Sequence, residues 1–282
     1  MSSIKIIKRR ISSVNTTKKI MKAMDMVAAA KLQKIRERLK AVRPFTTEAK
    51  KVLTDILDED AKKSVYYLPR KVKHTAYIMM TSDRGLCGSH NTNLVEKVLA
   101  HIDTGKNEQI IAVGLKGHEH IAARGKNILR TFPDVSEMVF YADAIQIANY
   151  VLSLYISGET DEVYIAYTQF KSALTHVPRI IRILPLRIRN TATPRANEMI
   201  YEPDIISFLN HTIPMFLSAS VYTGLIESSA CEQAARMINM ESAVNNASDI
   251  IDKLTRMYNR KRQSAITQEI SEIVGSANIM KK

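Results

Sequence analysis

The chain has 282 residues, 41 Lys plus Arg against 28 Asp plus Glu, a formal net charge of +13, 45% hydrophobic residues, two Cys and no Trp. That length builds one large or two ordinary domains whose cores need neither disulfide nor metal staples; two cysteines, Cys87 and Cys231, cannot make a secreted disulfide framework, so a reducing compartment is expected. The chain has no run of about 18 apolar residues, which argues against a transmembrane helix, and its start has no apolar signal region.

The charge is concentrated at the start. Residues 1–51 hold fifteen basic side chains against three acids (Asp25, Glu37 and Glu48), a net +12, while the middle is close to neutral and residues 228–282 carry +2. In the same segment Ile4, Ile7, Ile11, Val14, Met21, Ala28, Leu32, Ile35, Leu39 and Val42 recur in steps of three and four. Only Lys18 and Asp25 interrupt the register, and no Gly or Pro occurs before Pro44. So long an a/d stripe predicts a coiled-coil helix, roughly 60 Å long at about 1.5 Å per residue. A long amphipathic helix with a solvated basic face is the plainer alternative.

Further along, short apolar runs alternate with helical stretches. Strands are expected at His74 to Met80, Gln109 to Gly114, Asn127 to Phe132, Glu162 to Phe170 and Pro178 to Leu186, and helices at Asn91 to His101, Lys116 to Arg124 and Asp143 to Ile156. Successive βα units with right-handed crossovers give a mostly parallel, Rossmann-like three-layer α/β domain. The first strand runs into Ser82-Asp83-Arg84-Gly85-Leu86-Cys87-Gly88-Ser89-His90-Asn91. That segment reads either as a phosphate-binding turn at a helix N-terminus or as a tight strand-to-helix turn with Asn91 as the N-cap. It is neither GxGxxG nor GxxxxGK[ST], and the glycines around Cys87 do not have the GxSxG spacing.

His118-Glu119-His120 is the densest histidine cluster, yet it lacks the HExxH spacing that puts two ligands on one helical face. His74, His90, His101, His176 and His211 are scattered, and no carboxylate pair stands out for acid and base roles. No catalytic residue, cofactor or metal site is expected. Pro185 to Pro203 reads as a loop. In the last segment Met237, Met240, Val244, Ala247, Ile251, Leu254, Tyr258 and Ala265 are again spaced by three and four. Pro214 marks the expected start of a helix of about 60 residues, Gly224 a weak point within it and Gly275 its neighbourhood of ending. The fold class is therefore α/β with long terminal helices forming an antiparallel coiled coil. The expected division is 1–57 for the first helix, 72–190 for the α/β domain and 205–282 for the helix that packs with 1–57.

A basic coiled coil also suggests a bZIP-like DNA reader. There, however, the basic region precedes the zipper, whereas Lys8, Lys22, Lys34 and Arg43 are interleaved with the heptads, and no stacking aromatic occurs before Phe45. Such a stem suits an acidic protein surface or channel better than nucleic acid.

Several motifs carry a resemblance. Ile7-Lys8-Arg9-Arg10-Ile11-Ser12-Ser13-Val14, Lys22-Ala23-Met24-Asp25-Met26-Val27-Ala28-Ala29-Ala30-Lys31-Leu32, the turn Ser82 to Gly88, Ala234-Ala235-Arg236-Met237 and Tyr258-Asn259-Arg260-Lys261-Arg262-Gln263-Ser264-Ala265-Ile266-Thr267-Gln268-Glu269-Ile270 resemble the gamma subunit of the F-type ATP synthase along most of the chain. The family continues its last motif as Gly-Ala, where this chain has Gly275-Ser276-Ala277-Asn278. The resemblance implies a non-catalytic rotor shaft that passes torque between an ion-driven c-ring and the alpha/beta hexamer, with the epsilon subunit as a further partner. By resemblance, Arg262 and Gln263 form a polar catch on a beta-subunit loop with Thr267 and Glu269 beside it, and Arg236 and Met24 face each other's helices or the beta lever. The chain begins at the helix without a transit peptide, which implies a bacterial protein, peripheral on the cytoplasmic side of the plasma membrane. The coupling ion is chosen by the membrane ring. The other readings are a basic coiled-coil nucleic-acid or scaffold protein and a Rossmann-like nucleotide enzyme with helical extensions.

Overall fold

The computed structural model describes residues 2–56, 59–102, 107–187 and 201–279. The elements in order are α1 (Ser2–Thr54), α2 (Glu59–Lys62), β1 (His74–Met80), α3 (His90–His101), β2 (Asn107–Val113), α4 (Leu115–Ala122), β3 (Ile128–Phe132), α5 (Tyr141–Ile156), β4 (Glu162–Phe170), β5 (His176–Leu184) and α6 (Ile205–Ile279). They gather into two compact units, Met1–Ala28 with Met237–Lys282, and Ala29–Arg236.

In the first unit the stripe read from the sequence is the face that is covered. Ile7 and Ala28 of α1 and Met240 and Ala247 of α6 are buried, and Ile4, Ile11, Val14, Met21, Val244, Ile251, Leu254 and Tyr258 are half-buried. Lys18 and Asp25 are half-buried in the same register, so they interrupt the chemistry of the stripe without shifting its geometry. Alanines at 28 and 247 let two helices approach closely where larger side chains would hold them apart.

The second unit is built on a five-stranded sheet in the order β3-β2-β1-β4-β5. β1 to β4 are parallel, with Tyr77 paired to Ile110 on one side and Tyr164 on the other, and β5 returns antiparallel on β4. The order reverses after β1, as in doubly wound sheets. Tyr77 and Met79 of β1 pack with Leu94, Val95, Val98 and Ile121 of α3 and α4. The alternate residue Met80 faces α6, where a Cβ on Gly224 would lie 2.8 Å from its Sδ and 3.5 Å from Ile165. Gly224 is thus a close-packing position against the sheet. Helices on both faces give the three layers expected.

α1 and α6 run antiparallel through this unit. Arg43 meets Glu227, and three residues later Thr46 meets Thr223, four residues earlier on the partner. From Gly224 to Ala235, α6 is buried all round. Part of α6 is long and apolar enough to cross a membrane by length and composition alone, and 44% of that window is buried inside the protein.

The structure corrects three local expectations. α6 starts at Ile205, not Pro214, because Asp204 accepts from the Ser207 N–H (2.9 Å) and Oγ (2.7 Å), closing the first turn. Pro214 then lies inside the helix, as Pro44 lies inside α1; each removes one N–H, a loss that helices this long absorb through tertiary packing. β5 begins two residues before Pro178 because Pro is tolerated on an edge strand, and Asn91 is not the N-cap of α3, which is Ser89. The loop read at Pro185 to Pro203, with Asn190, Thr191, Thr193, Pro194 and Asn197, lies largely outside the described residues.

Candidate functional site

The residues from Arg262 to Glu269 sit on α6 in the first unit, where the helix has left its seam. From Asn259 to Val274 every residue except Ala265 is exposed. At 3.6 residues per turn, Arg262 and Glu269 share one face about two turns apart, while Gln263 and Thr267 share another about one turn apart. Between these polar rows run Ile266, Ile270 and Ile273, which are 46%, 56% and 67% exposed. Asp252, Thr255 and Asn259 hold the same angular position further back, so the apolar stripe is a property of the tip alone. Met24 is half-buried in the α1 stripe region.

Arg236 is placed differently. It is the last residue of the second unit, and its Nη2 donates to Glu232 Oε1 (2.8 Å), to the Gly85 carbonyl (3.2 Å) and to the Arg84 carbonyl (3.5 Å). Burial pushes the Glu232 carboxyl up to about 7, against the opposing pull of Arg236. The guanidinium therefore ties α6 to the turn after β1.

That turn is closed by its own side chains. Asn91 Oδ1 accepts from the Ser82 N–H (3.0 Å), and its Nδ2 donates to Ser82 Oγ (2.7 Å) and Cys87 Sγ (3.4 Å). The Asp83 carboxylate accepts four hydrogen bonds, from the N–H groups of Leu115, Asp134 and Ser136 and from Ser136 Oγ. This internal carboxylate ties the turn to the start of α4 through Leu115 and to the segment after β3 through Asp134 and Ser136. Gly114, just before α4, has φ +93° and lies against the Thr81 and Ser82 carbonyls, leaving no room for a side chain. Cys87 is buried, and burial pushes its thiol up, the opposite of an activated nucleophile. His118 Nδ1 is paired with Thr131 Oγ1 (2.9 Å), and among the described residues no group of three or more His, Cys, Asp and Glu is placed to hold a metal.

One polar node was not read from the sequence. Glu227, with its side chain 5% exposed, accepts from Arg43 Nε at Oε1 (3.0 Å) and from the Phe170 N–H at Oε2 (3.0 Å), while Arg43 Nη2 donates to the Phe170 carbonyl (2.7 Å). The available signal was a single acid in Leu225-Ile226-Glu227-Ser228-Ser229-Ala230, an otherwise uncharged run.

These features define an α/β chain with paired long terminal helices. A family model described as ATP synthase matches residues 3–280. The ATP synthase gamma chain of Alkaliphilus metalliredigens is 40% identical over 282 residues, covering 98% of each chain. The sodium ion specific ATP synthase gamma chain of Acetobacterium woodii is 38% identical over 298 residues, with 99% of each covered. In fold the chain is similar to one in the Euglena gracilis mitochondrial ATP synthase OSCP/F1/c-ring structure, with a TM-score of 0.77 at 20% identity over 99% of this chain and 95% of that one. The chain belongs to the family of ATP synthase gamma chains. It is a non-catalytic subunit of that complex, and the nucleic-acid, scaffold and nucleotide-enzyme readings are set aside.

Proposed function

We infer that the chain is the central rotor shaft of an F-type ATP synthase, passing torque between the ion-driven c-ring and the catalytic alpha/beta hexamer and setting the nucleotide affinity of the beta sites. The observation that carries this reading is the tip of α6, where an outward stripe of Ile266, Ile270 and Ile273 is flanked by Arg262 and Glu269 on one side and Gln263 and Thr267 on the other. Exposed apolar side chains in a row require a partner surface, and flanking polar side chains give that partner directional contacts. Arg262 and Gln263 are the catch for a beta-subunit loop, with Thr267 and Glu269 in the same contact; Met24 faces the partner helix or the beta lever, while the Arg236 guanidinium is engaged within the chain by Glu232 and the turn after β1.

The work divides along the chain as 1–57 and 205–282 for the shaft and 72–190 for the body, which meets epsilon and the c-ring. The basic start of the chain faces acidic beta surfaces. The complex is associated with the membrane, and this chain is peripheral to it on the cytoplasmic side in a bacterium, a placement supported by its bacterial relatives. Replacing both Arg262 and Gln263 by Ala in the assembled enzyme is expected to lower ATP synthesis and the ions moved per ATP hydrolysed, with the chain still folded and incorporated. Full synthesis and coupling in that variant would show that the catch lies elsewhere.

A further inference from the structure

Torque can pass along a pair of helices only if neither turns or slides against the other or against the body that holds them. Apolar packing resists such motion weakly, because the hydrophobic effect has no direction; charged hydrogen bonds with fixed geometry resist it strongly. Within Ala29–Arg236, α6 is held to the sheet and its loops by neutral hydrogen bonds: the Thr168 N–H donates to Ser228 Oγ (3.1 Å), Ser229 Oγ to the Ser136 carbonyl (3.0 Å) and Cys231 Sγ to the Thr168 carbonyl (3.3 Å).

α1 is tied differently. Past Arg43 it stands across a groove of about 660 Å³ from the sheet, with Thr47, Lys50 and Thr54 on one wall and Tyr167 and Ile181 on the other. At the head of that groove the Arg43 guanidinium grips both the Glu227 carboxylate and the Phe170 carbonyl, and the Phe170 N–H completes the ring on Glu227. Three contacts thus close a cycle through α1, the end of β4 and α6.

We propose that Arg43 and Glu227 form a register pin, positioning residues that hold α1 against α6 and β4 while the shaft is under load. The pin rests on the rotor reading. It differs from the catch in acting inside this chain, so it leaves contacts with the hexamer untouched. Its effect is expected in work done against a gradient rather than in free turnover.

The test uses the intact ATP synthase in sealed vesicles, comparing the ATP hydrolysis rate with the gradient collapsed against ion transport per ATP with the gradient standing. Arg43→Ala is expected to leave collapsed-gradient hydrolysis near the parent rate and to lower loaded transport several-fold. A rescue separates the pin from a general loss of structure. Thr46 and Thr223 lie one turn away with their hydroxyls 3.3 Å apart, so Thr46→Cys with Thr223→Cys offers a disulfide that locks α1 to α6 without the charge. In the Arg43→Ala background, oxidation should restore loaded transport and reduction should remove it again. If Arg43→Ala assembles only when cross-linked, reduction after assembly gives the same reading. The pin is overturned if Arg43→Ala keeps full loaded transport, if the formed disulfide fails to restore it, or if reduction after assembly changes nothing. Failure of the rotor reading itself would look different: the parent enzyme would hydrolyse ATP with the gradient standing and move no ions.

Discussion

His90 opens α3 with 6% exposure, and neither ring nitrogen has a hydrogen-bond partner. Burial drives its pKa down to about 3, and His176 and Arg236 push it the same way. The folded protein therefore holds His90 neutral, while the unfolded chain takes up a proton below about 6.5. Stability from this site is complete above pH 6.5 and is lost as pH falls from there towards 3. Glu232 acts in the opposite direction. Its carboxyl, raised to about 7 by burial, holds a proton in the fold that the unfolded chain releases above about 4.5, so its contribution declines as pH rises from 4.5 through 7. His90→Leu, which leaves no polar atom unpaired, should remove the acid sensitivity of the first site. The loss of stability between pH 7.5 and pH 5, read from urea midpoints, should shrink by about 2 kcal/mol, since each pH unit below 6.5 is worth about 1.4 kcal/mol for one proton. An unchanged loss would mean that His90 takes up a proton as readily in the folded state as in the unfolded chain.

Among the elements, α6 shows how a short cap can decide where a 75-residue helix begins. Asp204 accepts both the N–H and the hydroxyl of Ser207, and the backbone N–H groups of Ser207 and Ile206 hold its pKa below the usual carboxylate value. Asp204→Ala should unprotect the amides at the start of α6 in hydrogen exchange, with protection from Gly224 to Ala235 retained. Loss of protection along the whole helix would instead make the cap a nucleus for folding. The same element shows what could be read in advance. The stripes from Ile4 to Val42 and from Met237 to Ala265 repeat over many turns, so a few interruptions such as Lys18 do not hide them, and the βα alternation marked each strand to within two residues at its start. A cap depends on two side chains and is easily outweighed by a nearby proline, so the sequence points to Pro214 as the boundary. The tie of Arg43, Phe170 and Glu227 joins three distant points of the chain, and no spacing rule connects them. The tip contacts proposed for Arg262 to Glu269 rest on their resemblance to a family motif; their heptad pattern alone gives Ala265 as seam and leaves the polar rows without a role.

For the molecule as a whole, the excess of positive charge is an excess on one segment. Lys8, Arg9, Lys19 and Lys22 are all exposed on α1 and lie off its covered stripe, so they contribute little to the stability of the helix pair and much to the potential around it. A stem of this kind accelerates its approach to an acidic partner through long-range attraction, while contacts made after docking set how long it stays. Replacing these four side chains by Gln lowers the formal charge from +13 to +9 and leaves the Ile266 to Ile273 stripe and the Arg262 to Glu269 rows in place. Association with the alpha/beta hexamer at low salt should slow by about tenfold, with dissociation and the coupling of the finished complex little changed. At about 0.5 M salt the screening length shrinks to roughly 4 Å and the parent and variant rates should converge. Equal rates at low salt would mark the basic face as merely solvated. A faster dissociation with an unchanged association rate would place these cations in the docked contact itself, so stopped-flow measurement of both rates across a salt series separates steering, solvation and direct pairing.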